Sequence, residues 1–248
     1  QLIGHYPYQT VSVVQDISSR AGGTEYPTIT ALNAPTETLL ESIINHETGH
    51  NWFYGALANN ERQFPWMDEG INSYYDQVYA EQHTEAGVLI KTKSGTITTE
   101  EAEDILLQTL EKVKTDQPAN LPADNYSPIN YEMAVYHKTA VWMNILKTAM
   151  GPDAFEAGMK SYFETWKFKH PYPEDFKEVM EISSGKNLDS VFSLLSQKGA
   201  IGNSKQNNGT AVSFFFNLKK YVAYIHQPTR NLISITPAIG VNSYDKFM

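Results

Sequence analysis

The sequence contains no cysteine. That excludes disulfide cross-links, thiolate nucleophiles and thiolate-held metal, and leaves histidine and carboxylate as the strong metal ligands. No apolar run approaches the roughly 20 residues that span a bilayer. The opening QLIGHYPYQT has neither the basic start nor the apolar middle of a signal peptide. Basic residues are also scarce: 19 Lys and Arg against 28 Asp and Glu give a formal net charge of −9. They are scattered, so no surface suited to tracking phosphates is expected, and nucleic acid is not an expected partner.

What is present suits a globular fold. With 248 residues, 41% of them hydrophobic, the chain can bury a substantial core as one large domain or two small ones. TVSVVQDI (10–17) and TEYPTITAL (24–32) read as strands, with Pro27 demoting the second to an edge. Thr38 with Glu41 makes a capping box for a helix over 38–58. Further helices are predicted at 68–82, onward from a Thr98/Glu101 capping box, and at 132–149, 153–168, 173–183 and 188–198. A long connection with three prolines covers 116–130. Beyond the polar linker 202–210, the runs 211–227 and 231–241 read as strands, and Asn208 opens a glycosylation triplet. The pattern is α+β and mostly α, with a small N-terminal sheet.

The stretch HETGHNW (46–52) carries the chemistry. Residues four apart on a helix lie about 40° apart around its axis, so His46 and His50 can present nitrogens to one ion. Glu47 follows the first of them and sits beside the ion, where a base takes a proton from metal-bound water. Two histidines around a glutamate at this spacing arise by chance in roughly one such chain in seventy, and a third ligand nineteen residues on lowers that to about one in a thousand. Glu69, in WMDEGIN, is that residue. Two His and one Glu leave a tetrahedral Zn2+ with an open position, the pattern of a catalytic rather than a structural site. Asp76, seven residues after Glu69 and on its face, is placed to orient a ligand imidazole. His137 has no role legible in the sequence.

At HETGHNWF and WMDEG the chain resembles the gluzincin aminopeptidases, the family of aminopeptidase N and leukotriene hydrolase. Trp66, Asp68, Glu69 and Gly70 hold the places of that family's usual Trp-Leu-Asn-Glu-Gly. The resemblance runs from about Gly22 to Gly199. It implies a thermolysin-like zincin catalytic domain over 1–199, made of sheet plus zinc helix (1–60) and a helical lobe (61–199), followed by a linker and β-rich segment (200–248). It implies one zinc per chain and peptide N-termini as substrates.

By the same resemblance GGTEYP stands for the family's Gly-x-Met-Glu-Asn strand. Glu25 is then the residue that grips the free α-amine, flanked by Gly22 and Gly23, with Thr24 and Tyr26 departing from Met and Asn. Tyr136, in VYHKTA, is expected to stabilise the oxyanion, with Thr139 where glycine is usual, and Tyr131 is expected to line the substrate site. Full-length relatives have further domains, so a fragment of a larger, extracytoplasmic protein is expected. Removal of N-terminal residues is the expected reaction; the alternatives are an endopeptidase with an altered amine site, and a weakened peptide-binding or scaffold domain.

Overall fold

Pro27 interrupts what would otherwise be one strand. In the computed structural model, which describes residues 3–16, 22–34, 36–83, 89–92, 95–199 and 201, β1 (Ser12–Gln15) and β2 (Gly22–Thr24) precede it and β3 (Ile29–Asn33) follows it. The Ile29 N–H donates to the Tyr26 carbonyl at 3.0 Å across Pro27 and Thr28, and Thr28 adopts φ 67°. Proline suits the second position of such a turn, but a β-branched residue pays conformationally for positive φ. Two bonds hold it there: its N–H donates to Asn51 Oδ1 at 2.9 Å, and its carbonyl accepts from Ser12 N–H at 2.8 Å. The chain therefore reverses, β2 pairs antiparallel and β1 parallel with β3, and the sheet order is β1-β3-β2. This corrects the sequence reading. The strand after Pro27 is central, because the proline makes a turn rather than sitting in the ladder.

The next helix, α1 (Glu37–His50), is capped by Thr36, whose Oγ1 accepts from Leu39 N–H at 3.2 Å. The expected box at Thr38 and Glu41 does not form the cap; Glu41 instead accepts from the Tyr79 hydroxyl at 2.9 Å. The helix runs on through a π-helical stretch, Asn51–Ala56, and ends at Ala58 with φ 52°. A second π-helical stretch, Trp66–Gly70, leads directly into α2 (Ile71–Gln82). A hairpin of β4 (Leu89–Thr92) and β5 (Gly95–Thr98), not foreseen in the sequence, follows. Then comes α3 (Thr99–Lys112) with the expected Thr98/Glu101 capping box. At the end of the 116–130 connection, the single turn α4 (Pro128–Asn130) enters a third π-helical stretch, Tyr131–His137, continuous with α5 (Lys138–Met150). Helices α6 (Pro152–Trp166), α7 (Pro173–Ser184) and α8 (Asp189–Ser193) complete the helical part. The strands expected after residue 210, and Asn208, lie outside the described residues. Among the described residues no helix is long and apolar enough to cross a membrane.

One aromatic core underlies the site. Trp66 meets Trp142 edge-on at 5.5 Å, and Phe176 meets Tyr162 at 4.8 Å and Trp66 at 6.2 Å; all four are essentially inaccessible to solvent. This fixes the chain three residues before Glu69. Gly70 is then pressed on α5, where a Cβ would come within 2.4 Å of Thr139 Cγ2. Truncating Phe176 to Ala is expected to cost about 3–5 kcal/mol, read as a lowered urea midpoint; an unchanged midpoint would show that the cluster does not support the fold as described.

Candidate active site

Helices α1 and α2 approach closely because one side of the contact has no side chain. A Cβ at Gly49 would lie 2.1 Å from Asn72 Oδ1, and Asn72 Nδ2 donates to the His46 carbonyl at 2.6 Å. That contact brings three ligand-type atoms into a triangle. His46 Nε2 and His50 Nε2 lie 3.1 Å apart, and each is 3.1 Å from Glu69 Oε2.

The opposite ring nitrogens fix what these atoms can do. His46 Nδ1 faces Asp76 Oδ2 at 2.6 Å, while His50 Nδ1 faces Asp68 Oδ1 at 2.6 Å. Asp76 is itself held by Asn45 Nδ2 at 2.6 Å. With each Nδ1 donating its proton, both Nε2 lone pairs point at each other and at a carboxylate oxygen. Such an arrangement is repulsive unless a cation sits among them. Ligands at 2.0–2.1 Å from one tetrahedral ion stand about 3.3 Å apart, close to the observed triangle. The donor set therefore fits a divalent cation with an open position.

The same demand shows in the proton affinities. Burial opposes charging the rings, yet Asp76 and Glu69 outweigh it and raise His46 to about 10. Burial likewise loses to Asp68 and Glu69 at His50, which is raised well above the usual imidazole value. Glu69, though buried, is held well below the carboxylate range by its two imidazole partners. The cluster is built to hold positive charge.

Glu47 lies beside the triangle, 6% exposed and with Oε2 lacking any hydrogen-bond partner. Burial pushes it up to about 7. Strand β2 comes very near, since a Cβ at Gly23 would sit 2.3 Å from the Glu47 carboxyl carbon. Gly22 is less engaged, with nothing within 4 Å of where its Cβ would be. Glu25 sits just beyond β2, and oxygens of Glu25, Glu61 and Asp68 all lie within 4.8 Å of one another. Burial, then its carboxylate neighbours, raise Glu61. Burial likewise raises Glu25, against the pull of His50. Tyr26 is 61% exposed, turned to solvent.

From the other side, Tyr136 stacks on His46 at 5.8 Å and 26°, and burial, then the nearby Glu69 carboxylate, raise its phenol well above the usual tyrosine value. Tyr131 meets it edge-on at 5.9 Å. Sequence reasoning missed Glu61 and gave Asp68 no contact with an imidazole. Asp68 had a signal, its place directly before Glu69; Glu61, in a loop, had none.

The description of the peptidase family M1 domain matches residues 27–194. The chain belongs to peptidase family M1. Among similar proteins, this M1 chain is 22% identical over 172 residues to aminopeptidase 2, mitochondrial, of Saccharomyces cerevisiae, covering 67% of this chain and 17% of that one. It is 24% identical over 164 residues to aminopeptidase N of Escherichia coli, covering 64% of this chain and 18% of that one. It thus spans less than a fifth of the length of these two relatives. Its fold matches an M1 zinc metallopeptidase from Deinococcus radiodurans at a TM-score of 0.62 and 17% identity, over 84% of this chain and 43% of that one. A mutant from the same source, bound to a Tyr-Ser-Ala substrate, matches at 0.61 and 16% identity, over 81% of this chain and 42% of that one.

Replacing Asp76 with Ala frees the His46 ring to rotate and change tautomer. It is expected to lower affinity for Zn2+ by about 10- to 100-fold, measured by competition with a chromogenic chelator. Unchanged affinity would mean that Asp76 is only a surface carboxylate.

Proposed function

We propose that residues 1–199 form a thermolysin-like catalytic domain that removes N-terminal residues from peptides with one zinc ion per chain. The observation that carries this reading is Asp68, which belongs to two clusters at once. One of its oxygens fixes His50, and its carboxylate also lies within 4.8 Å of Glu25 and Glu61. A cation-holding triangle and an ammonium-attracting pair of carboxylates thus share one wall. Peptide N-termini carry the ammonium and the scissile carbonyl within one residue of each other, which suits two such clusters placed side by side.

In this reading His46, His50 and Glu69 hold zinc. When bound, the ion supplies Lewis acidity to a water molecule and to the scissile carbonyl. Glu47, buried and with a free oxygen, accepts the water proton and returns it to the leaving amine; a value pushed up toward 7 by burial suits both halves of that transfer. Tyr136 is a phenol donor for the negative charge that develops on the carbonyl oxygen. Burial and the nearby Glu69 carboxylate keep the phenol protonated, so that it has a proton to donate. Glu25 takes the α-ammonium, Glu61 adds a second carboxylate to that end, Gly23 lets β2 lie against the Glu47 carboxyl, Gly22 leaves room for the peptide backbone, and Tyr131 walls the cleft. Asp68 and Asp76 keep the two imidazoles in the ligating tautomer.

The experiment compares an amino-acid p-nitroanilide with its N-acetyl derivative on the zinc-loaded chain. Cleavage confined to the free amine is expected, and cleavage of only the acetylated substrate would assign the site to an endopeptidase. Glu47→Gln is expected to keep zinc and to lose about 10²–10⁴-fold in kcat. Full activity in that variant would remove Glu47 from the role of base.

A further inference from the structure

His137 is a buried ring between two acids. Its side chain is fully shielded from solvent, Nε2 lies 2.8 Å from Asp104 Oδ1, and Nδ1 lies 3.1 Å from Glu103 Oε2. Both acids are on α3, at positions partly open to water. Nε2 hydrogen-bonds Asp104, whereas Nδ1 stands in ion-pair contact with Glu103 without hydrogen-bond geometry, and two carboxylates this close favour the imidazolium. Burial opposes that charge, but the two carboxylates overcome it and raise the ring to about 9. An uncharged His could keep the hydrogen bond to Asp104 but would lose the attraction to Glu103.

The position of this ring matters because of its neighbour. His137 ends the π-helical stretch that carries Tyr131 and Tyr136. Tyr136 faces the His46–Glu69 cluster, whereas His137, the next residue, faces α3. The stretch has a second tie to the same helix, since Met133 packs with Leu106, Leu107 and Leu110 in a small apolar cluster of its own. Lys138, the adjacent cation, is turned elsewhere: its ammonium is buried and donates to the Gln197 carbonyl, with Asp116 and then Glu111, near the end of α3, as its acidic neighbours. Among the described residues, the ion pairs of the stretch with α3 are those of His137; Glu132, also in the stretch, is a like charge to Glu103.

We infer that His137 is a positioning residue, an ionic clamp that ties the Tyr136 segment to Glu103 and Asp104 of α3 and so sets the phenol against the His46–Glu69 cluster. This rests on the role proposed above for Tyr136. A π-helical stretch has wider, less regular hydrogen bonding than an α-helix, so its side chains keep their aim only if something outside the stretch holds it. Met133 restrains one end of it through non-directional apolar contact. The directed hydrogen bond of His137 to Asp104 and its ion pair with Glu103 fix its rotation at the other end, one residue from the phenol.

The test uses His137→Gln, which keeps a hydrogen-bonding side chain but removes the charge. On the zinc-loaded chain it is expected to lower kcat at least tenfold, with KM and zinc content within about twofold of the parent. Adding Glu103→Gln and Asp104→Asn to that variant removes the carboxylates left without a cation and is expected to restore most of the lost kcat. The readout independent of turnover is amide exchange in the metal-free protein. Residues 132–137 are expected to exchange at least tenfold faster in His137→Gln, while α1, α6 and α7 keep their parental rates. A uniform rise in exchange, or no change in residues 132–137, would overturn the clamp. So would a kcat loss not relieved by neutralising α3. If the parent cleaves no free-amine anilide, the proposed function fails; the exchange pattern still decides whether His137 holds the segment.

Discussion

Three atoms that should repel one another stand 3.1 Å apart, and most of the site follows from holding them there. Two imidazole lone pairs and a carboxylate oxygen converge only if their other ends are fixed. Asp68 and Asp76 fix the two rings, Asn72 fixes the backbone of His46, and the Ser73 hydroxyl donates to the Glu69 carbonyl at 2.7 Å. Each partner comes from the segment that begins at Trp66. The aromatic core beneath Trp66 is thus the foundation on which the convergence is built. A cation among the three atoms turns their repulsion into ligation, and until then protons take its place on the rings.

All three π-helical stretches among the described residues touch this site. One begins directly after His50, one contains Glu69, and one contains Tyr131 and Tyr136. Such a stretch holds one more residue per turn than its surroundings, and it recurs at functional sites for that reason. It re-aims a side chain without ending the helix. Glu69 can turn toward α1 while α2 continues with its own apolar face packed, and Tyr136 can turn toward His46 while Trp142, one and a half turns later, still reaches the core.

The triangle was legible in the sequence because the i, i+4 spacing of His46 and His50 converts directly into proximity on a helix. Several helices were legible for a similar reason, since Gly151-Pro152 between α5 and α6 and Pro173 at the start of α7 leave local marks, whereas the helix expected over 188–198 stops at Ser193. The Thr98/Glu101 box was read correctly. The box at Thr38 was not, because Glu41 had a distant partner in Tyr79 that no local pattern reveals. The sheet was misread at Pro27, where a turn residue was taken for a flaw in a strand. Glu61 was invisible, as a loop carboxylate acquires meaning only from Glu25 and Asp68, which reach it across the fold. His137 went unassigned for the same reason: its two acids lie more than thirty positions earlier in the chain.

Asn51 joins the sheet to the zinc helix. It follows His50 directly, and its amide oxygen holds the Thr28 N–H, while its amide nitrogen donates to the Thr48 carbonyl at 3.0 Å. The hairpin that carries Glu25 is therefore pinned to the same turn of helix that carries the second imidazole. In the proposed reading, this tie holds the carboxylate that takes the ammonium at a set distance from the imidazoles beside the bond to be cut, so that hairpin and zinc helix act as one rigid jaw.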